Sequence, residues 1–111
     1  MRTVRKRWGN YKLFALNKKC TVKILTVEKG RRLSLQRHRH RDEFWYILYG
    51  CARIYIGQKA DRLRTFIVVP GHKIWIPRNT WHYTYSIHDF SDILEISTGR
   101  FDEKDIERAD Q

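Results

Sequence analysis

Cysteine is scarce in this chain of 111 residues: there are two, Cys20 and Cys51, far apart and outside any paired metal-ligand spacing. That excludes a cysteine-built zinc module and a disulfide-dense secreted scaffold. The simplest reading is two small apolar side chains in a reducing compartment, with a single disulfide between them left open. Long apolar runs are also missing. No stretch approaches membrane-spanning length, and the opening "MRTVRKRWGNYK" has no hydrophobic signal core, so a soluble cytoplasmic protein with no membrane partner is expected.

Acidic residues are few, 12 against 23 Lys and Arg, for a formal net charge of +11. Such an excess suits anionic partners, either nucleic acid or a phosphorylated small molecule. Helix-turn-helix, zinc-finger and aromatic RNP-type patterns are all absent, so no specific nucleic-acid partner is expected. The basic residues cluster at Arg2–Arg7 and Arg37–Arg41 but otherwise spread along the chain, as on a solvated surface, while acids gather in "FDEKDIERADQ".

What is present is apolar alternation. Hydrophobic residues make up 41% of the chain and aromatics 14%, enough for a packed core in one domain spanning residues 1–111. Strands are predicted near "YKLFAL", "CTVKILTVE", "RLSLQRHR", "EFWYILY", "ARIYI", "RTFIVV", "KIWI", "HYTYSI" and "ILEIS". Turn signals separate them at Lys29-Gly30, Tyr49-Gly50, Gly57-Gln58, Pro70-Gly71, Pro77-Arg78-Asn79 and His88-Asp89. This spacing predicts an all-β antiparallel sandwich or barrel. Asp102 to about Ala109 is predicted as a short C-terminal helix, with Asp102, Glu103 and Asp105 suiting its first turn.

One strand breaks the apolar rule. In "LSLQRHRHRDEFWYILYG", Ser34, Gln36, His38 and His40 share a face, and Leu33, Leu35, Arg37 and Arg39 share the other. Gln36 and His38 can therefore reach one ion. Glu43, past the Arg41-Asp42 bend, and His82, after "PGHKIWIPRNTW", can return to the same point. An amide oxygen, two imidazoles and a carboxylate suit a divalent transition metal: zinc first, with manganese, iron or nickel as alternatives. His40 is a candidate third imidazole, as ligand, as partner of a ligand or toward substrate. His72 and His88 fall in turns and read as surface residues.

The spacing Gly30, Gln36, His38, Glu43, Gly50 resembles the first cupin motif, with glutamine for the first histidine. The spacing Gly71, Pro77, Asn79, His82 resembles the second, with asparagine where glycine is usual. More narrowly, "RWGNYKLF", "GRRLSLQRHRHRDEFWYILYG", "PGHKIWIPRNTWH" and "LEISTGRFDEKDIER" resemble the C-terminal isomerase domain of bifunctional mannose-1-phosphate guanylyltransferase/mannose-6-phosphate isomerases. The resemblance implies a double-stranded β-helix (jelly-roll) barrel, a metal held by Gln36, His38, Glu43 and His82, and phosphomannose isomerase activity. Departures are Arg7-Trp8-Gly9 for Pro-Trp-Gly, Arg39 inside the histidine triplet, Phe44 for a further histidine, and an end at Gln111 before a Tyr-Gly-Arg-like tail. No nucleotidyltransferase domain is read in the chain, so guanylyl transfer is not expected of it.

Aldose–ketose interconversion needs a base beside a Lewis acid. Candidates are His40 and Glu95, whose carboxylate interrupts an apolar strand; a salt-bridged structural role for Glu95 is the alternative. Arg32, Arg41, Lys6 and Arg7 are candidates to clamp a phosphate. Leu33 and Leu35, read as facing out of the barrel, suggest a homodimer. Three other readings stand beside the isomerase. They are a non-catalytic sugar-phosphate or nucleotide-sugar-binding cupin docking on a separate guanylyltransferase chain, another metal-cupin chemistry such as a dioxygenase, and a polyanion binder.

Overall fold

The alternation read along the chain becomes eleven strands in the computed structural model, which describes residues 1–109. They are β1 (Arg2–Lys6), β2 (Gly9–Leu13), β3 (Cys20–Glu28), β4 (Gln36–Arg37), β5 (Arg41–Tyr49), β6 (Ala52–Lys59), β7 (Arg62–Val68), β8 (Lys73–Ile76), β9 (Trp81–Ser86), β10 (Phe90–Gly99) and β11 (Glu107–Arg108). β1 and β2 form a hairpin of their own. The rest make a four-stranded sheet, ordered β3-β10-β5-β8, and a five-stranded sheet, ordered β11-β4-β9-β6-β7. Every strand pairing among the described residues is antiparallel, and the two larger sheets face each other as a jelly roll.

Side-chain period explains why the sheets face each other. Along β5, Arg41, Glu43, Trp45 and Ile47 are buried, while the residues between them turn to the other face. β6 buries Ala52, Ile54 and Ile56 in the same way. These residues join Ile74, Ile76 and Ile93 in one core between the two sheets. Each such large side chain contributes roughly 1.5–3 kcal/mol by leaving water. Toward one end of the barrel the inward positions become polar, and there the site forms.

Two backbone positions explain the spacing of the motifs. Gly50 has φ 89°, and a Cβ there would stand 2.4 Å from the Phe90 carbonyl oxygen, so the β5–β6 turn takes glycine alone. Asn79 has φ 63°, the left-handed conformation that asparagine tolerates best after glycine. Its N–H donates to the His38 carbonyl oxygen at 2.6 Å, tying the turn before His82 to the bend after β4.

The structure corrects three expectations. Residues 102–109 are not helical. Asp102–Asp105 makes a turn closed by Asp105 N–H on the Asp102 carbonyl oxygen at 2.9 Å, and Glu107 and Arg108 then pair with Arg37 and Gln36 as β11 on β4. An eight-residue helix is marginal by itself, and an open strand edge with Arg37 3.0 Å from Glu107 Oε2 outcompetes it. Leu33 does not face outward; it packs against the core. Leu35 is only half-buried, and its carbonyl oxygen accepts from Ala109 N–H. The two-leucine argument for a second subunit therefore falls. No helix among the described residues is long and apolar enough to cross a membrane, and Cys20 and Cys51 are both free.

Candidate metal centre

Gln36 and His82 lie opposite each other in the register of β4 and β9, which brings together two motifs 46 residues apart. His38 follows at the end of β4, and Glu43 enters from β5 in the facing sheet. His38, Glu43 and His82 are each 4% exposed or less, and one ligand atom from each lies within 4.8 Å of the others. Nε2 of His38 is 3.5 Å from Glu43 Oε2, and Nε2 of His82 is 3.5 Å from Glu43 Oε1. All four expected ligands line one cavity of about 120 Å³, together with Arg41, Trp45 and Glu95.

Neighbouring carbonyls set the tautomers. Nδ1 of His38 lies 2.7 Å from the Asp105 backbone oxygen, and Nδ1 of His82 lies 2.9 Å from that of Thr80. A carbonyl oxygen only accepts, so each Nδ1 carries the proton and each Nε2 turns a lone pair inward. The Gln36 amide nitrogen donates to the Ser34 carbonyl oxygen at 3.1 Å, leaving its own oxygen as the group it can offer. Glu43 Oε1 is buried without a hydrogen-bond donor among the described residues. An orphaned carboxylate oxygen is costly unless something cationic meets it. Two imidazole lone pairs, an amide oxygen and that carboxylate oxygen fit a divalent transition ion.

The electrostatics separate two carboxylates. Burial pushes Glu43 up, but the imidazoles of His82 and His38 and a hydrogen bond from Arg41 outweigh it and hold the carboxyl at about 2. Burial lowers His38, which keeps its ring neutral. Glu95 moves the other way: burial, then the charge of Glu43, raises it above the ordinary carboxylate value. Its Oε2 accepts from Trp45 Nε1 at 3.1 Å, and its Oε1 has Lys23 Nζ at 4.0 Å. The cavity thus shifts its two carboxyls in opposite directions.

The remaining expected residues lie elsewhere. His40 is exposed and borders a different hollow with Arg100 and Lys104, because strand alternation ends at His38 and the Asp105 carboxylate accepts from the backbone N–H of Arg39 and His40, both at 2.9 Å. Arg32 stacks over Tyr83 at 4.9 Å on the outer face of the five-stranded sheet. Lys6 and Arg7 are exposed in the β1–β2 hairpin. None of these four lines the cavity. Arg41 does, but buried and bonded to Glu43 rather than presented at the mouth. Sequence reasoning missed Lys23. Lys23 occupies an inward position between Thr21 and Leu25 in "CTVKILTVE", and a lysine there was the available signal.

Known proteins resemble this chain in sequence and in fold. The chain is 30% identical over 105 residues to the mannose-1-phosphate guanylyltransferase ManC of Salmonella typhimurium, covering 94% of this chain and 21% of that protein. It therefore spans about a fifth of the length of the curated relatives it matches. Among solved structures it resembles QdtA, a sugar 3,4-ketoisomerase from Thermoanaerobacterium thermosaccharolyticum in complex with TDP (TM-score 0.75, 16% identity, 97% of this chain and 83% of that one). It also resembles the oxalate decarboxylase of Bacillus subtilis, a protein with Mn(II) centres (TM-score 0.70, 26% identity, 82% of this chain and 24% of that one). The profile of the family described as mannose-6-phosphate isomerase, C-terminal, matches residues 1–111, and the chain belongs to that family of cupins.

Proposed function

We propose that the chain is a metal-dependent sugar-phosphate isomerase that interconverts mannose 6-phosphate and fructose 6-phosphate. The observation that carries the reading is one cavity holding an orphaned carboxylate oxygen, two inward Nε2 lone pairs and a second, raised carboxyl. Gln36, His38, Glu43 and His82 would hold the ion. When bound, a divalent ion supplies Lewis acidity toward the two oxygens on the reacting carbons, and zinc, manganese, iron and nickel all suit this donor set.

Glu95 is the proposed proton carrier. A carboxyl pushed upward by burial is a stronger base than an ordinary one, and Trp45 fixes its orientation through Oε2. It would take the proton from C2 at its other oxygen and return it to C1, with Lys23 steadying the anion. His40, exposed and outside the cavity, is no longer a candidate base. A space of about 120 Å³ is smaller than the roughly 300–1,000 Å³ of a small-molecule pocket, so it accommodates the reacting end while the phosphate stays outside. Incubating metal-loaded protein with mannose 6-phosphate tests the reading. Fructose 6-phosphate is expected to form, and a yield no greater than that of the chelated control would overturn it.

A second reading is favoured by the absence from the cavity of Arg32, Lys6 and Arg7 and by the match to a fifth of ManC. In it, the domain binds a sugar phosphate or nucleotide sugar without turnover and docks on a separate guanylyltransferase chain. Ligand-induced thermal protection without product distinguishes it. Nucleic acid is not proposed as a partner under either reading.

A further inference from the structure

Arg41 stands inside the donor set. It opens β5 two residues before Glu43, so both side chains take the inward face. It is 6% exposed, and each part of its guanidinium is occupied. Nε donates to Glu43 Oε2 at 3.2 Å, Nη1 to the Asp102 carbonyl oxygen at 3.1 Å, and Nη2 to His38 Nε2 at 3.3 Å. The Phe101 ring lies against its outer face at 4.5 Å.

The arrangement divides the site. Arg41 takes Oε2 of Glu43 and leaves Oε1, the orphaned oxygen, facing His82. The bond to Oε2 therefore orients the carboxylate without closing it. The bond to His38 is different. With Nδ1 protonated toward Asp105, Nε2 of His38 has one lone pair, and it can accept from Arg41 or coordinate an ion, never both.

We propose that Arg41 is a built-in counter-cation that competes with the divalent ion for His38 Nε2 and sets how weakly that ion is held. This rests on the proposed metal centre. Two further features support it. A buried cation needs compensation, and Phe101 and the Asp102 carbonyl provide it from outside the donor set, so the guanidinium stays in place when it yields His38. Its charge would also oppose a divalent ion held by these residues. Arg41 is thus a positioning residue for Glu43 and a tuner of metal affinity, which corrects its expected role as a phosphate clamp.

The test is calorimetric titration of chelator-treated protein with manganese and with zinc, alongside thermal melts. Arg41→Leu is expected to melt lower without metal, because Glu43 loses its partner, yet to bind both ions at least tenfold more tightly. Its melting temperature then rises more on metal addition than that of the parent. Arg41→Lys, which keeps the charge but loses the fork, is expected to bind with an affinity between those of the parent and Arg41→Leu. Equal or weaker binding by Arg41→Leu, with the parent binding normally, overturns the proposal and leaves the metal centre standing. If neither protein binds an ion, the metal centre itself falls and the proposal with it. Should Arg41→Leu not fold, Phe101→Leu, which loosens the guanidinium without removing it, is expected to tighten metal binding several-fold, and unchanged binding overturns the proposal.

Discussion

At the scale of single residues, Glu43 and Glu95 show how one cavity gives the same functional group opposite tasks. A carboxyl held at about 2 against an ordinary 4.5 contributes stability that is present above 4.5 and is lost as pH falls toward 2. Glu95 is raised, so its sign is reversed: its contribution is complete below the ordinary value and is lost as pH rises through its own folded value. Replacing Glu95 by Gln removes that loss. The chelated Glu95→Gln protein is expected to melt higher than the parent at neutral pH, the gap closing in acid, while isomerase turnover falls about 10²–10⁴-fold. A thermal melt series across pH, paired with the mannose 6-phosphate assay, checks both halves; a structural salt bridge to Lys23 would instead make the variant less stable. His82→Ala removes an imidazole lone pair, and calorimetry is expected to show metal affinity down by two orders of magnitude or more.

At the scale of elements, the segment from Arg100 to Ala109 acts as a strap over the β4–β5 bend. Its Asp105 carboxylate accepts two backbone N–H groups, and its Asp105 carbonyl oxygen orients His38. Asp105→Ala leaves both N–H groups without that acceptor, as the loss of a helix cap does, and is expected to cost about 1–2 kcal/mol in chemical denaturation and to weaken metal binding about tenfold. The strap also marks where the sequence stops being legible. Gln36, His38, Glu43 and His82 could be picked out because period-two alternation and two gapped motifs agree, and strands report their faces locally. His40 and the tail could not, because what decides them is a contact across more than sixty residues: Asp105 with the bend, Glu107 with Arg37. Local acidity at Asp102–Asp105 mimics a helix start, but its carboxylates serve a turn and a neighbouring loop. Arg41 misled for a related reason, since a guanidinium reads as surface until the residues burying it, Phe101 and Asp102, are seen.

For the whole molecule, charge restricts how two copies can meet. At +11 each, they repel except where a surface carries no cations. The outer face of the four-stranded sheet exposes apolar side chains at its β3 edge, Val22 at 57% and Ile24 at 60%. We propose this face, rather than Leu33 and Leu35, as the homodimer contact. Light scattering at micromolar concentration is expected to give twice the chain mass for the parent and a monomer for Ile24→Lys; a monomeric parent would remove the proposal.

The pairing of β3 with β10 joins residues in the twenties to residues in the nineties, and β11 then closes on β4. Sheets stitched across such distances in sequence form slowly, because most of the chain must be searched before a ladder is rewarded. During translation the imidazole of His38 leaves the ribosome long before Asp105 exists to turn it. In the proposed reading, loading with an ion would therefore wait until Asp105 has been made, and a shorter growing chain would have no finished seat to offer one.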